Sequence, residues 1–403
     1  MPSLLLYGGT FNPIHRGHLA LCAAARDQLG VDRVLLMPAA RPPHKDTPDL
    51  AQDRHRLALC RLAARALPGA EVSAYELERG GVSYTIDTLE DLRRSYPGHR
   101  IYLLMGSDLY VSFTQWRLWR EVAALTTLVV GMRQHQDRTP VREAKAALDR
   151  EGVQTVLLDH PVLELSSTQV RQELAQTGLS EGLTPEVLCY IRYHRMYGAG
   201  TPDGVVDEPL QQLLRAYIRP LMGEERYHHS LCVEQRAVYL AGLYGADPKK
   251  AALAGLLHDI CKELSREEQL HWVERSGIIT PPANKRKIST IDFALQPQLL
   301  HAAAAPAYIQ EHLGIDDPEI LDAVRYHATA RGEMTPLDCV VDLADFTSAD
   351  RDYPDVDVYR DLCEQSMEQA MAYGLRYIVE RELPARGQQP CPDTQAAYER
   401  YCK

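Results

Sequence analysis

The chain has 403 residues, which at about 150 residues per domain corresponds to roughly two to three domains. With 45% hydrophobic and 25% charged residues it lies outside the disordered regime, and 44 basic against 55 acidic side chains, a net charge of −11, disfavour non-specific attraction to nucleic acid or to an anionic membrane surface. Nine cysteines, an odd number without a CxxC pair, read as reduced thiols in a chain too long to need disulfide staples, so a cytoplasmic protein is expected.

The first run, MPSLLLYGG, has no cationic leader and stops at Gly8–Gly9, so it reads as a buried strand rather than a signal peptide or a membrane span. Strands are expected over Ser3–Tyr7, Arg33–Met37, Ile101–Met105, Thr127–Val130 and Thr155–Leu158, with helices over His18–Leu29, Asp53–Ala66, Thr85–Tyr96 and Ser167–Thr177. Near-continuous apolar strands alternating with helices imply an α/β parallel sheet covered on both faces. After Tyr197 the stretch GAGTPDGVVDEP, dense in Gly, Pro and Asp, predicts a linker over 198–209. From Leu210 strand runs nearly vanish, and Ala-, Leu-, Glu- and Arg-rich stretches such as Glu234–Tyr244, Lys249–Leu257 and Ala302–Leu313 predict an all-α second domain over 210–385. The tail 386–403 holds too little apolar content to pack alone and is expected to be partly mobile.

Within GGTFNPIHRGHL, Gly8, Gly9 and Gly17 allow close backbone approach where a strand gives way to a helix, a place where unpaired N–H groups meet phosphate. His15 and His18, three residues apart, can both face one polyphosphate. Ser166, Ser167 and Thr168 precede another helix, with Arg171 on its first turns, which suits either an anion site or plain capping. In the second half, His229, the adjacent pair His258–Asp259, His301, His327 and Asp345 lie on or beside predicted helices. The pair ends an apolar helical stretch, where burial without a partner is costly and a divalent ion is an economical partner.

The motifs GGTFNPIHRGHL, PHK (Pro43–Lys45), SYTIDTL (Ser83–Leu89), GSD (Gly106–Asp108), Trp116 and Trp119, LSSTQVR (Leu165–Arg171) and PEVLCYI (Pro185–Ile191) resemble the nicotinate-mononucleotide adenylyltransferase branch of the nucleotidylyltransferase superfamily, over nearly all of 1–197. The pantetheine-phosphate branch typically has Thr where this chain has His15. The resemblance implies a Rossmann-like domain that joins ATP to nicotinate mononucleotide, with release of pyrophosphate. It further implies catalytic roles for His15, His18, Lys45 and Arg171. Gly8, Gly9, Thr10, Phe11, Gly106, Asp108, Ser166, Ser167 and Thr168 would contact ATP. Trp116 would stack on the pyridine and the backbone near Thr85 would take its carboxylate, whereas Trp119 reads equally as core. Mg2+ is expected to accompany ATP.

The second half, roughly Leu210 to Leu383, resembles the HD phosphohydrolases, and among them the bacterial symmetrical diadenosine tetraphosphate hydrolases. It does so on RYHHSLCV, LLHDICK, LLHAAAA, RYHATAR and LADFTSADRDYP. That likeness implies an all-α HD-type domain whose metal ligands are His229, His258, Asp259 and Asp345, with Asp259 also counted as catalytic. The metal is expected to be iron, with Mn, Co or Zn as alternatives. His301 and His327 would hold a second metal or substrate phosphates, a choice left open, and Arg226, Lys262 and Arg351 would hold polyphosphate. Ser348 stands where relatives commonly carry Glu, and Ala328 where Thr often follows the histidine, which bears on substrate preference. Cys261 diverges by about 100° from its helical neighbours and is expected to be a packed thiol. The expected ligands are therefore ATP, nicotinate mononucleotide and diadenosine polyphosphates, with no nucleic acid or membrane and a homo-oligomer left open. The alternative for the second half is a nucleotide-sensing module or a hydrolase for a different nucleotide.

Overall fold

The structure, a computed structural model, describes residues 2–41, 49–132, 138–159, 163, 165–199, 208–276 and 296–403. The chain divides into two compact units, Met1–Gly200 and Thr201–Lys403. Lys45 lies outside the described residues.

The first unit is built on six strands, β1 (Ser3–Gly9), β2 (Arg33–Pro38), β3 (Ala70–Val72), β4 (Arg100–Gly106), β5 (Thr127–Gly131) and β6 (Thr155–Leu157). All pair in parallel, in the order β3-β2-β1-β4-β5-β6. Leu4–Leu6, Val34–Met37, Ile101–Met105 and Leu128–Val130 are buried, as expected for strands covered on both faces. β3 is the strand that periodicity misses. It is three residues long, has the exposed Glu71 at its centre and sits at the sheet edge, where a short polar strand is tolerated. The strand order reverses between β1 and β4, so their carboxyl ends open a crevice of the kind that binds nucleotides.

The first helix, Arg16–Leu29, starts two residues earlier than its apolar pattern suggests because His15 occupies the N-cap, and it closes on Gly30 at φ 61°. The helices Asp53–Ala64, Thr85–Ser95 and Ser167–Thr177 match the expected positions to within two residues.

In the second unit no strand occurs among the described residues. The helices Glu224–Tyr244, Pro248–Leu257, Leu300–Leu313, Pro318–Tyr326 and Pro336–Thr347 surround a common centre. Asp247, Asp317 and Thr335 cap three of them, each followed by proline at the first helical position. Gly255 lets two helices press together, since a Cβ there would meet Ala237 Cβ and Glu234 Cα at 3.1 Å. The tail departs from expectation. Pro392–Cys402 is a helix with Thr394 and Ala397 buried, and Thr394 Oγ1 donates to Thr329 O at 2.8 Å. Its few small residues are enough because it packs against helices already in place rather than alone.

Candidate active sites

In the first unit the loop after β1 is held from beneath. Arg56, fully buried, donates to Thr10 O (2.9 Å), Ala39 O (2.6 Å) and Ala51 O (3.1 Å), pinning the ends of β1 and β2 to the helix Asp53–Ala64. It is held from the side as well. Arg171 Nη1 donates to Asn12 O (2.8 Å), Ser167 Oγ to Pro13 O (2.9 Å), and Tyr197 OH to Asn12 Oδ1 (2.8 Å). Arg171 and Ser167, expected on phosphate, thus brace the loop that would bind it, and Ser166 caps its helix by accepting from Gln169 N. Nothing in the sequence around Arg56 signalled its role, since a lone arginine on a predicted helix is ordinarily solvent-facing.

His15 and His18 stack with ring centroids 3.6 Å apart, and the His15 backbone N–H donates to His18 Nδ1 at 3.1 Å. A neutral His18 therefore carries its proton on Nε2, the nitrogen suited to donate to a phosphate oxygen. Gly17 makes room for this arrangement: a Cβ there would come within 3.0 Å of His15 Nδ1 and 3.2 Å of Leu163 O.

A cleft of about 390 Å³ opens at the carboxyl ends of β1 and β4. The structure brings Gly8, Gly9, Thr10, Phe11, His18, Thr85, Gly106, Asp108, Trp116 and Ser167 together on its walls. His15 lies behind His18 and is buried, and Arg171 lines a neighbouring groove of about 470 Å³ with His55 and Tyr197. Thr85 begins the helix Thr85–Ser95, whose N-cap Tyr84 makes no side-chain cap, and both residues line the cleft at the positive end of the helix dipole. Trp116 and Trp119 are both half-buried against the core and pack on Phe113 (5.3 and 6.1 Å between centroids), but of the two Trp116 is the one that lines the cleft. The buried Glu76 also lines the cleft, accepts from Thr88 Oγ1 at 2.6 Å, and has its carboxyl pushed up by burial.

In the second unit, five expected residues converge. His229, His258 and Asp345 present ligand atoms all within 4.8 Å of one another, as do His258, Asp259 and His327, so His258 is common to both groups. His301 Nε2 stands 3.1 Å from Asp259 Oδ1 and 3.2 Å from His327 Nε2. Arg226 Nη1 donates to Asp259 Oδ2 (2.6 Å), Lys262 Nζ lies 3.1 Å from His301 Nε2, and Arg351 pairs with Asp345. Cys261 is a buried thiol outside both groups.

His258 and His327 are oriented by their far nitrogens. His258 Nδ1 meets Gly255 O and His327 Nδ1 meets Val324 O, both at 2.7 Å. A carbonyl can only accept, so each Nδ1 carries the proton and each Nε2 turns a lone pair inward. His258 Nε2 is fully buried, has no hydrogen-bond partner, and faces Asp259 (3.5 Å) and Asp345 (3.9 Å). A lone pair aimed at two carboxylates is repulsive until a cation lies between them, so this donor set fits a divalent ion. Burial pulls the pKa of His258 and of His301 down to about 4, keeping both neutral. Burial opposes ionisation of Asp259 as well, but His258, His301, His327 and Lys262 together hold its carboxyl well below the usual range.

His229 differs. Its Nε2 meets Asp345 Oδ1 at 2.9 Å, while its Nδ1 meets a carboxylate, Asp350 Oδ2, at 2.8 Å. Burial would lower the pKa of His229, yet its contacts with Asp345, reinforced by Asp350, raise it. Asp350 escaped the sequence reading because nothing marks it among 55 acidic residues. Carboxylate–histidine pairs strengthen metal ligands, so Asp350→Asn is expected to weaken metal binding about 10- to 100-fold. Chelator competition on the intact chain measures this, and an unchanged affinity would remove the role.

Residues 6–173 match the cytidylyltransferase-like family and residues 226–350 the HD domain family. A probable nicotinate-nucleotide adenylyltransferase of Neisseria meningitidis serogroup C is 37% identical over 201 residues, 49% of this chain and 99% of the relative. One from Solibacter usitatus is 40% identical over 196 residues, 48% of this chain and 98% of the relative. The chain belongs to the nicotinate-nucleotide adenylyltransferase family. Beyond the unit that carries this membership, the chain has an HD domain. A crystal structure of a predicted HD superfamily hydrolase from Clostridium acetobutylicum, described as involved in NAD metabolism, is 27% identical over 47% of this chain and 96% of that one, with a TM-score of 0.43. Within this adenylyltransferase the two matched segments enclose His15, His18 and Arg171 in one, and Arg226 through Asp350 in the other, with Arg351 just beyond.

Proposed function

We propose that the first unit transfers the adenylyl group of ATP to nicotinate mononucleotide. The observation that carries this is one cleft holding His18, the uncapped Thr85 amides and Trp116. A phosphate oxygen of the mononucleotide attacks the α-phosphorus of ATP. The new P–O bond forms as the bond to the bridging oxygen of the β-phosphate breaks, and pyrophosphate leaves with that electron pair. No proton must be moved, so alignment and charge stabilisation supply the catalysis. His18 donates from Nε2 to the ATP phosphates and His15 supports its ring, while Lys45 is assigned to the departing pyrophosphate. Gly8, Gly9 and Thr10 give backbone approach, Gly106 and Asp108 hold the nucleotide, Ser166 and Thr168 are assigned to ATP, and Ser167 with Arg171 fixes the loop. The pyridine stacks on Trp116 with its carboxylate at the Thr85 amide. Mg2+ is assigned to arrive with ATP.

We propose further that the HD domain hydrolyses diadenosine tetraphosphate symmetrically, water adding at phosphorus and the central bridge breaking to give two ADP. His229, His258, Asp259 and Asp345 would hold a divalent ion, with iron favoured, and the ion would supply Lewis acidity toward the attacking water. Arg226, Lys262 and Arg351 bind and orient the polyphosphate, and His301 with His327 faces the same centre. The buried, unpartnered His258 Nε2 carries the assignment of the ion.

Purified protein given ATP and nicotinate mononucleotide is expected to form nicotinate adenine dinucleotide and pyrophosphate. Given diadenosine tetraphosphate and metal, it is expected to release ADP alone. Binding without turnover would make the HD domain a nucleotide sensor, AMP with ATP as products would make the cleavage asymmetric, and turnover of another nucleotide in place of diadenosine tetraphosphate would reassign its substrate.

A further inference from the structure

Beyond the acceptor site, and resting on its assignment above, we propose that the Arg117 guanidinium gives the cleft its preference for a pyridine carboxylate over the corresponding carboxamide. After the short turn Phe113–Gln115 the chain extends through Trp116 at φ −72°, ψ 148°, then bends at Leu118, which sits at φ 52° in the left-handed region. A branched side chain adopts that conformation at a cost, and such strain collects where a functional loop must be aimed. Its effect is to place both Trp116 and Arg117 on the cleft wall. Arg117 is held there by a cation–π contact, its Cζ 4.6 Å from the ring centroid of Tyr84. Tyr84 immediately precedes the Thr85 amide assigned to the carboxylate.

Charge gives Arg117 its consequence. The described cleft wall includes two acids, Glu76 and Asp108, which oppose the approach of an anion, and Arg117 is the arginine on the same wall. A planar guanidinium matches a carboxylate with two parallel N–H donors and gains far less from a neutral amide. The backbone amides alone can donate to an oxygen of either group, so the side chain is what separates them. Arg117 is exposed, so replacing it does not disturb the core.

The test uses the full chain with Arg117→Leu and Arg117→Lys, measuring kcat/KM for nicotinate mononucleotide and for nicotinamide mononucleotide in parallel, together with KM for ATP. Arg117→Leu is expected to lower the value for the acid about 10-fold, to leave the amide and KM for ATP nearly unchanged, and Lys is expected to restore part of the loss. An unchanged acid-to-amide ratio, or equal losses for both mononucleotides, would overturn the proposal and leave Arg117 as packing on Tyr84. No transfer to either mononucleotide by the unaltered protein would overturn the acceptor assignment and the proposal with it. That result is distinguishable because it needs no variant.

Discussion

His18→Ala is expected to slow adenylyl transfer about 10²- to 10³-fold, the usual effect of losing one charge-stabilising donor from a preorganised site. The size follows from geometry. His18 Nδ1 is committed to the His15 backbone N–H, so its Nε2 is aimed as a donor before any ligand arrives. The loss should fall mainly on kcat, because the charge it meets grows as the bridging bond breaks. His18→Gln keeps a donor without the ring stacked on His15 and should recover part of the rate. Steady-state assay of pyrophosphate release measures both, and full activity in His18→Ala would refute the assignment. Hydrolysis of diadenosine tetraphosphate by the same variant is expected to stay at the unaltered rate, since every residue assigned to it lies in the other unit.

His258→Ala is expected to have the complementary effect, lowering metal content and dinucleotide hydrolysis more than about 100-fold while sparing adenylyl transfer. Altering a residue that merely orients a ligand typically costs 10- to 100-fold, and His258 belongs to both ligand groups at once. Its removal also leaves Asp259 and Asp345 facing a buried cavity without the imidazole between them. Chelation of the unaltered protein should reproduce the loss of hydrolysis, and re-addition of metal should restore it. Elemental analysis of the variant is the independent readout. Hydrolysis that survives chelation would refute a metal-dependent mechanism.

The division of the chain was visible before its geometry was. Leu4–Leu6, Val34–Met37 and Ile101–Met105 are continuous apolar runs that only a doubly covered strand explains, whereas Ala70–Val72 carries too little signal to separate it from a loop. The likeness to HD phosphohydrolases implied His229, His258, Asp259, His327 and Asp345, and the structure brings them together. The sequence could not point to Asp350 or Arg56, because Asp350 acts on a histidine far away in the chain and Arg56 acts on several backbone carbonyls, which leave no residue pattern behind. For Arg171 and Ser167 the residue type was informative but the partner was not. Both donate to the carbonyls of the loop before His15, and a carbonyl is invisible to sequence.

Those two bonds also bear on the order in which the first unit assembles. The loop holding Asn12 and Pro13 is made well before its partners Ser167, Arg171 and Tyr197, which follow 154, 159 and 185 residues later. Contacts of such separation close late, after the intervening sheet has formed. Arg56 can fix the base of the loop early, from nearby in the chain, but the final aim of the histidines waits for the last helices of the unit. A nascent or clipped first unit would then hold a nearly complete sheet and still lack a working nucleotide site, so the appearance of activity during refolding should lag behind the recovery of secondary structure.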